Sequence, residues 1–113
     1  MRKFTFLFAF AILLSTFGIK AQVVISQVYG GGGNTGATLT HDFIELYNRG
    51  TAAVDISAWS LQYASATGTP GFTNIHGFAS GTIIQPGKYF LVQEGKGSAG
   101  TTALPTPDYI PTN

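Results

Sequence analysis

The sequence predicts an all-β fold, an antiparallel sandwich of short strands, on three observations. Glycine supplies 15 of the 113 residues and aromatics another nine Phe, five Tyr and one Trp, while only 10% are charged, a balance that suits short strands and many turns rather than solvated helices. Apolar residues alternate at period two in several short runs separated by Gly, Pro, Asn or Ser. No window of ten residues beyond the N-terminal segment carries a helical stripe. With no cysteine, a disulfide framework, a thiolate metal site and a thiol nucleophile are excluded.

The first element is an export signal. Arg2 and Lys3 are followed by an uncharged stretch, Phe4 to Ile19, apolar without interruption from Phe6 to Leu14, the n-region and h-region of a secretory leader. Sixteen uncharged residues, weakened by Ser15 and Thr16, fall short of the ~20 that span a bilayer, so residues 1–21 read as a cleaved signal with Gln22 starting the mature chain. The mature chain keeps Arg49, Lys88 and Lys96 against Asp42, Glu45, Asp55, Glu94 and Asp108, a net charge of 3 − 5 = −2. Phosphate backbones need clustered Lys and Arg, so no direct nucleic-acid binding is expected.

Residues 22–94 supply the strands. Val23 to Tyr29 is β-branched and aromatic and is ended by Gly30 to Gly33. Asp42 to Asn48 alternates Phe43, Glu45 and Tyr47 against Ile44 and Leu46; bulk on both faces marks an inner strand. Asn48, Arg49 and Gly50 turn the chain into a brief extended piece, Val54 to Ile56. Trp59, Leu61 and Tyr63 alternate with Ser60 and Gln62, which predicts a strand with its aromatic face inward and Trp59 filling the space between sheets. Ala64 to Gly71 is a loop, Phe72 to Phe78 a strand interrupted by Gly77, and Thr82 to Ile84 a short one. Gln85-Pro86-Gly87-Lys88 is a type II turn into a strand from Tyr89 to Gln93. Residues 95–113, crowded with Gly and Pro, form a loop or extended tail.

The candidate chemistry dissolves on inspection. Gly31, Gly33 and Gly36 satisfy G-x-G-x-x-G, but that motif binds pyrophosphate through the N-terminus of a helix that begins at the glycines, and only Ala37 to His41 separates it from the next strand; a flexible hairpin loop is expected instead. Ser98 lacks the glycine two positions before it that a nucleophile elbow needs, since Lys96 stands there. His41 and His76 read as two partly exposed histidines with no triad signature. Asp42, Glu45 and Asp55 are the clustered carboxylates, yet Asp42 and Glu45, three apart on a strand, face opposite ways, against a shared calcium site or a glycosidase pair. Glu45, between Phe43 and Tyr47, reads as a structural anchor that must accept hydrogen bonds. No catalytic, cofactor-binding or metal-binding residue is assigned.

The run DFIELYNRG, Asp42 to Gly50, followed by Val54-Asp55-Ile56-Ser57-Ala58-Trp59-Ser60-Leu61, resembles the lamin tail domain family, with Ile56 for that family's leucine and Ala58 for its glycine. Ile84-Gln85-Pro86-Gly87-Lys88-Tyr89-Phe90-Leu91-Val92 is similar to the family's Pro-Gly turn and following strand, and VVISQVYGGGG from Val23 to Gly33 looks like the start of its exported bacterial copies. The resemblance spans about residues 23–92. It implies an immunoglobulin-like sandwich without catalytic residues, often an accessory module beside secreted hydrolases. Family members continue past the Leu-Pro-x-Pro-Asp region, so the resemblance also implies a copy missing its last strands.

The function expected on these grounds is a non-catalytic exported interaction module, secreted or at the cell surface, holding a protein or cell-surface partner through sandwich loops or an open sheet edge. The alternative is an N-terminal accessory fragment of a secreted nuclease or phosphoesterase whose catalytic domain lies elsewhere. A third is an adhesive surface repeat.

Overall fold

A computed structural model describes residues 21–64, 71, 72 and 74–112. Residues 1–20 of the expected export leader and most of the 64–71 loop therefore lie outside the described residues. The chain forms seven strands: β1 (Val23–Tyr29), β2 (His41–Asn48), β3 (Val54–Asp55), β4 (Ser60–Tyr63), β5 (Asn74–Gly77), β6 (Ile83–Ile84) and β7 (Tyr89–Lys96). The main sheet has the order β1-β2-β7, and two ribbons, β3-β6 and β4-β5, make the second layer. Every ladder between strands is antiparallel.

β2 is the central strand because its two faces carry different but equally bulky rows. Ile44, Leu46 and Asn48 point between the layers and are buried. On the outer face Phe43 stacks on Tyr29 with ring centroids 5.5 Å apart, and Tyr47 on Tyr89 at 4.5 Å. Both pairs are directly opposite in the ladders, the arrangement in which aromatic side chains reinforce strand pairing. Between them Glu45 accepts the Ser26 hydroxyl at 2.7 Å, the anchoring that a carboxylate in an aromatic row requires.

The core joins Ile44, Leu46 and Val92 of the main sheet to Ile56, Leu61, Phe78 and Ile84 of the second layer. Asn48 is fully buried and satisfied on every side. Its amide donates to the carbonyls of Ala52 and Ile84, its side-chain oxygen accepts Gly50 N–H, and its backbone pairs with Gly87 and Lys88. The turn before β7 closes with Lys88 N–H on Gln85 C=O, and Gly87 holds the positive φ of 69° that a type II turn demands at its third residue.

Trp59 departs from its expected place: it is 47% exposed, whereas Leu61 is buried and Tyr63 half-buried. The tryptophan backbone N–H donates to Ile56 C=O, so residue 59 closes a turn and strand alternation begins only at Ser60. The space expected for the indole is filled by Ile56, which is inaccessible, and by Phe78, whose ring meets Phe90 and Tyr109 edge-on at 5.9 and 5.3 Å.

The glycine loop and the tail are also more than flexible connectors, and each organises the other. Gly33 N–H to Leu39 C=O closes the loop on itself, and Ala99 N–H to Gly33 C=O, Gly97 N–H to Thr40 C=O and Thr40 N–H to Thr102 C=O sew residues 33–40 to 97–102, all at 2.7–3.1 Å. The backbones of Gly33 and Gly97 approach so closely that a Cβ on Gly97 would stand 2.5 Å from Gly33 carbonyl atoms. Farther on, Asp108 and Tyr109 lie along β7. Tyr109 N–H donates to Leu91 C=O, Gln93 N–H donates to Tyr109 C=O, and the Asp108 carboxylate takes Leu91 N–H at 2.7 Å. Two residues of the tail thus serve as a fourth strand.

Candidate functional site

Two places combine exposed or ionisable chemistry with a defined position in the fold. The first is the corner where the end of β7 faces β5. Phe90, Val92 and Glu94 share the inner row of β7, so continuing the apolar alternation two residues beyond Val92 carries a carboxylate between the layers. From the other side His76, opposite buried Leu61 in the β4-β5 ribbon, presents its Nδ1 at 3.1 Å from Glu94 Oε2. Both side chains are largely shielded, 13% exposed for His76 and 6% for Glu94, so His76 is more enclosed than its sequence context suggests. Burial pushes the Glu94 carboxyl above the usual carboxylate range, His76 draws it back, and the Asp42 charge adds to the rise.

A cleft of about 200 Å³ opens beside this pair, lined by His41, Gln93, Lys96 and Pro111 among others. His41 is the first residue of β2 rather than part of the preceding loop, and its Nδ1 lies 2.8 Å from the Thr40 hydroxyl. The hydroxyl–imidazole contact and the imidazole–carboxylate contact involve different histidines, so among the described residues they do not connect into a nucleophile, base and orienting acid. Asp42 spends one oxygen on Gly32 N–H at 2.6 Å.

The three carboxylates grouped by sequence are dispersed by the fold. Asp42 holds the glycine loop, Glu45 holds Ser26, and Asp55 accepts both the backbone N–H and the hydroxyl of Ser57. Those bonds lower the pKa of the fully exposed Asp55. No cluster of three His, Cys, Asp or Glu suited to a metal ion occurs among the described residues. Ser98 sits in the irregular segment after β7.

The second place is β1. Ile25 and Val28 lie opposite Leu46 and Ile44 in the ladder, which puts them on the inner face, yet they are 59% and 58% exposed while their partners are buried. Both reach that face because the register shifts between Ile25 and Gln27, a bulge at Ser26 that absorbs one residue. Among the described residues β1 has one strand neighbour, β2. Sequence reading finds the strand but not this bareness, because alternation reports which residues share a face and not whether anything covers it.

No curated protein and no solved structure matches the chain. The family model described as Lamin Tail Domain matches residues 19–109, a span that takes in all seven strands, the sewn glycine loop and the tail as far as Tyr109. Together with the all-β antiparallel architecture, this match shows that the chain belongs to the lamin tail domain family and has its immunoglobulin-like β-sandwich fold.

Proposed function

We propose that this chain is an exported, non-catalytic interaction module that holds a protein or cell-surface partner along the open edge of β1. The observation that carries the reading is the uncharged strand β1, with Ile25 and Val28 bare on a face whose neighbouring strands are buried. An edge of free backbone groups beside apolar side chains is the surface that strand addition uses, ladder bonds giving affinity and alternate side chains giving selectivity. The family supports an immunoglobulin-like interaction module in general. Export rests on Arg2, Lys3 and the uncharged segment Phe4 to Ile19; among the described residues no helix is long and apolar enough to cross a membrane.

The test is site-specific photo-crosslinking of the full chain in the cell that makes it, with the probe at Val28 and, as control, at exposed Gln62 on β4. A protein or surface adduct at Val28 and none at Gln62 supports the reading. Equal labelling at both positions, or metal-dependent turnover of DNA or phosphate esters by the purified chain, overturns it.

A further inference from the structure

We infer that the occupant of the β1 edge is a second copy of this chain, paired antiparallel about a two-fold axis between Ser26 and Gln27. The inference rests on the interaction-module reading and names its partner. It starts from the composition of the strand. VVISQVY has no charge, no proline and no glycine, so it lacks most of the devices by which edges repel one another, and pairing with itself juxtaposes no like charges.

The side chains then select a register. The bulge puts Ile25 and Val28 on the inner face, and Ser26, whose hydroxyl reaches Glu45, on the outer. If residue 25 of one copy stands opposite residue 28 of the other, the remaining pairs are fixed by antiparallel counting: Ser26 meets Gln27 and Val24 meets Tyr29, in both halves of the two-fold. Ile25 covers Val28 on the inner face, Val24 covers Tyr29 on the outer, and the two polar residues meet at the axis. A shift that sets Ile25 opposite its own copy would instead place inner Val23 against outer Gln27. The three-residue offset between Ile25 and Val28 matches faces only because the bulge is there, and the axis brings the irregularity of one strand against that of the other. The product is a continuous sheet in the order β7-β2-β1-β1-β2-β7, flanked at each end by tail residues 108 and 109 and within the usual range of sheet sizes.

One ladder confined to residues 24–29 of each β1 buries less than the ~1,200–2,000 Å² of a standard stable interface, so the dimer is weak, with half-association at tens of micromolar (an order-of-magnitude expectation on that principle). The experiment uses the chain recovered from expression of the full sequence, in two parts. In sedimentation velocity, Ile25→Lys or Val28→Lys weakens self-association at least 10-fold, whereas Ile75→Lys, at an equally exposed apolar position on β5, leaves it unchanged; circular dichroism checks that each variant is folded. Because the native chain has no cysteine, I25C and V28C proteins also report the register. Mixed under mild oxidation they give the I25C–V28C heterodisulfide, while I25C alone does not crosslink, its two copies being three residues out of register and beyond disulfide reach. A chain that stays monomeric at hundreds of micromolar, or I25C crosslinking with itself as readily as with V28C, overturns the inference. A Val28 photo-adduct with a different protein, found beside monomeric behaviour, would retain the interaction-module reading and reject self-pairing.

Discussion

Along β7 the main sheet meets residues 108 and 109, which take its backbone hydrogen bonds and set the Tyr109 ring against Phe78. Along β1 the same sheet ends, among the described residues, in an uncharged strand with two bare aliphatic side chains. Neither condition is dictated by the strand itself, since β1 and β7 are both rich in β-branched and aromatic residues. The difference comes from what the chain brings back to each edge. The tail can run along β7 because its start is fastened to the glycine loop through the Gly33–Gly97 approach, which directs the next dozen residues along that side. The covered edge thereby contributes to the fold, and on the proposed reading the bare edge is the one left for association.

The comparison can be broken most sharply at Tyr109. Tyr109→Ala removes a ring packed on the core and the hydroxyl bonded to Gly77 C=O at 2.8 Å, and should cost about 3 kcal/mol. At about 4–8 °C per kcal/mol for a domain of this size, the loss is readily seen in thermal unfolding. Hydrogen exchange should show faster exchange at the Leu91 and Gln93 amides, which lose their cover.

Gly97→Ala attacks the fastening rather than the cover. The added methyl would overlap the Gly33 backbone, and forcing two main-chain segments apart should cost about 2 kcal/mol, with increased proteolytic cleavage between residues 97 and 108. Tyr109→Phe keeps the ring and loses only the hydroxyl bond, about 1 kcal/mol by denaturant titration. All three should leave self-association through β1 unchanged.

Glu94→Gln tests the buried corner beside the covered edge. The carboxyl is raised on folding, mainly by burial, so the folded state binds its proton more tightly than the unfolded state. The native chain should therefore be relatively best off below the unfolded value of about 4.5, and the charged group should count against folding increasingly as pH rises through its folded pKa. Measured as the difference in Tm between native chain and E94Q across pH 4 to 7, the native protein should lose ground as pH rises. The smallest effect on stability belongs to the bare edge: Ile25→Lys, at a position 59% exposed, should change unfolding free energy by no more than about 0.5 kcal/mol while it disrupts association.

Much of the fold was legible because it is written in local pattern. The bounds of β1, the two-faced character of β2 and the Pro86-Gly87 turn come from alternation and turn chemistry within a few residues. Trp59 shows the limit: its alternation with Leu61 and Tyr63 is real, but a turn bond to Ile56 holds it outside the strand. β7 runs to Lys96 rather than stopping at Gln93, because Glu94 finds His76 across the layers and Lys96 stands opposite His41 in the ladder. A Glu-Gly-Lys-Gly run offers no local sign of either partner.

The sequence by itself determined where most strands lie, the two faces of β2 and the membership of the family, since backbone alternation, glycine geometry and proline turns act between near neighbours. Only the tertiary structure decided which edge is covered, where the tail goes, that Asn48 and Glu94 are enclosed and that Ile25 and Val28 are not. Those outcomes depend on residues far apart in the chain meeting in space, and burial is a property of such meetings rather than of the side chain that experiences them.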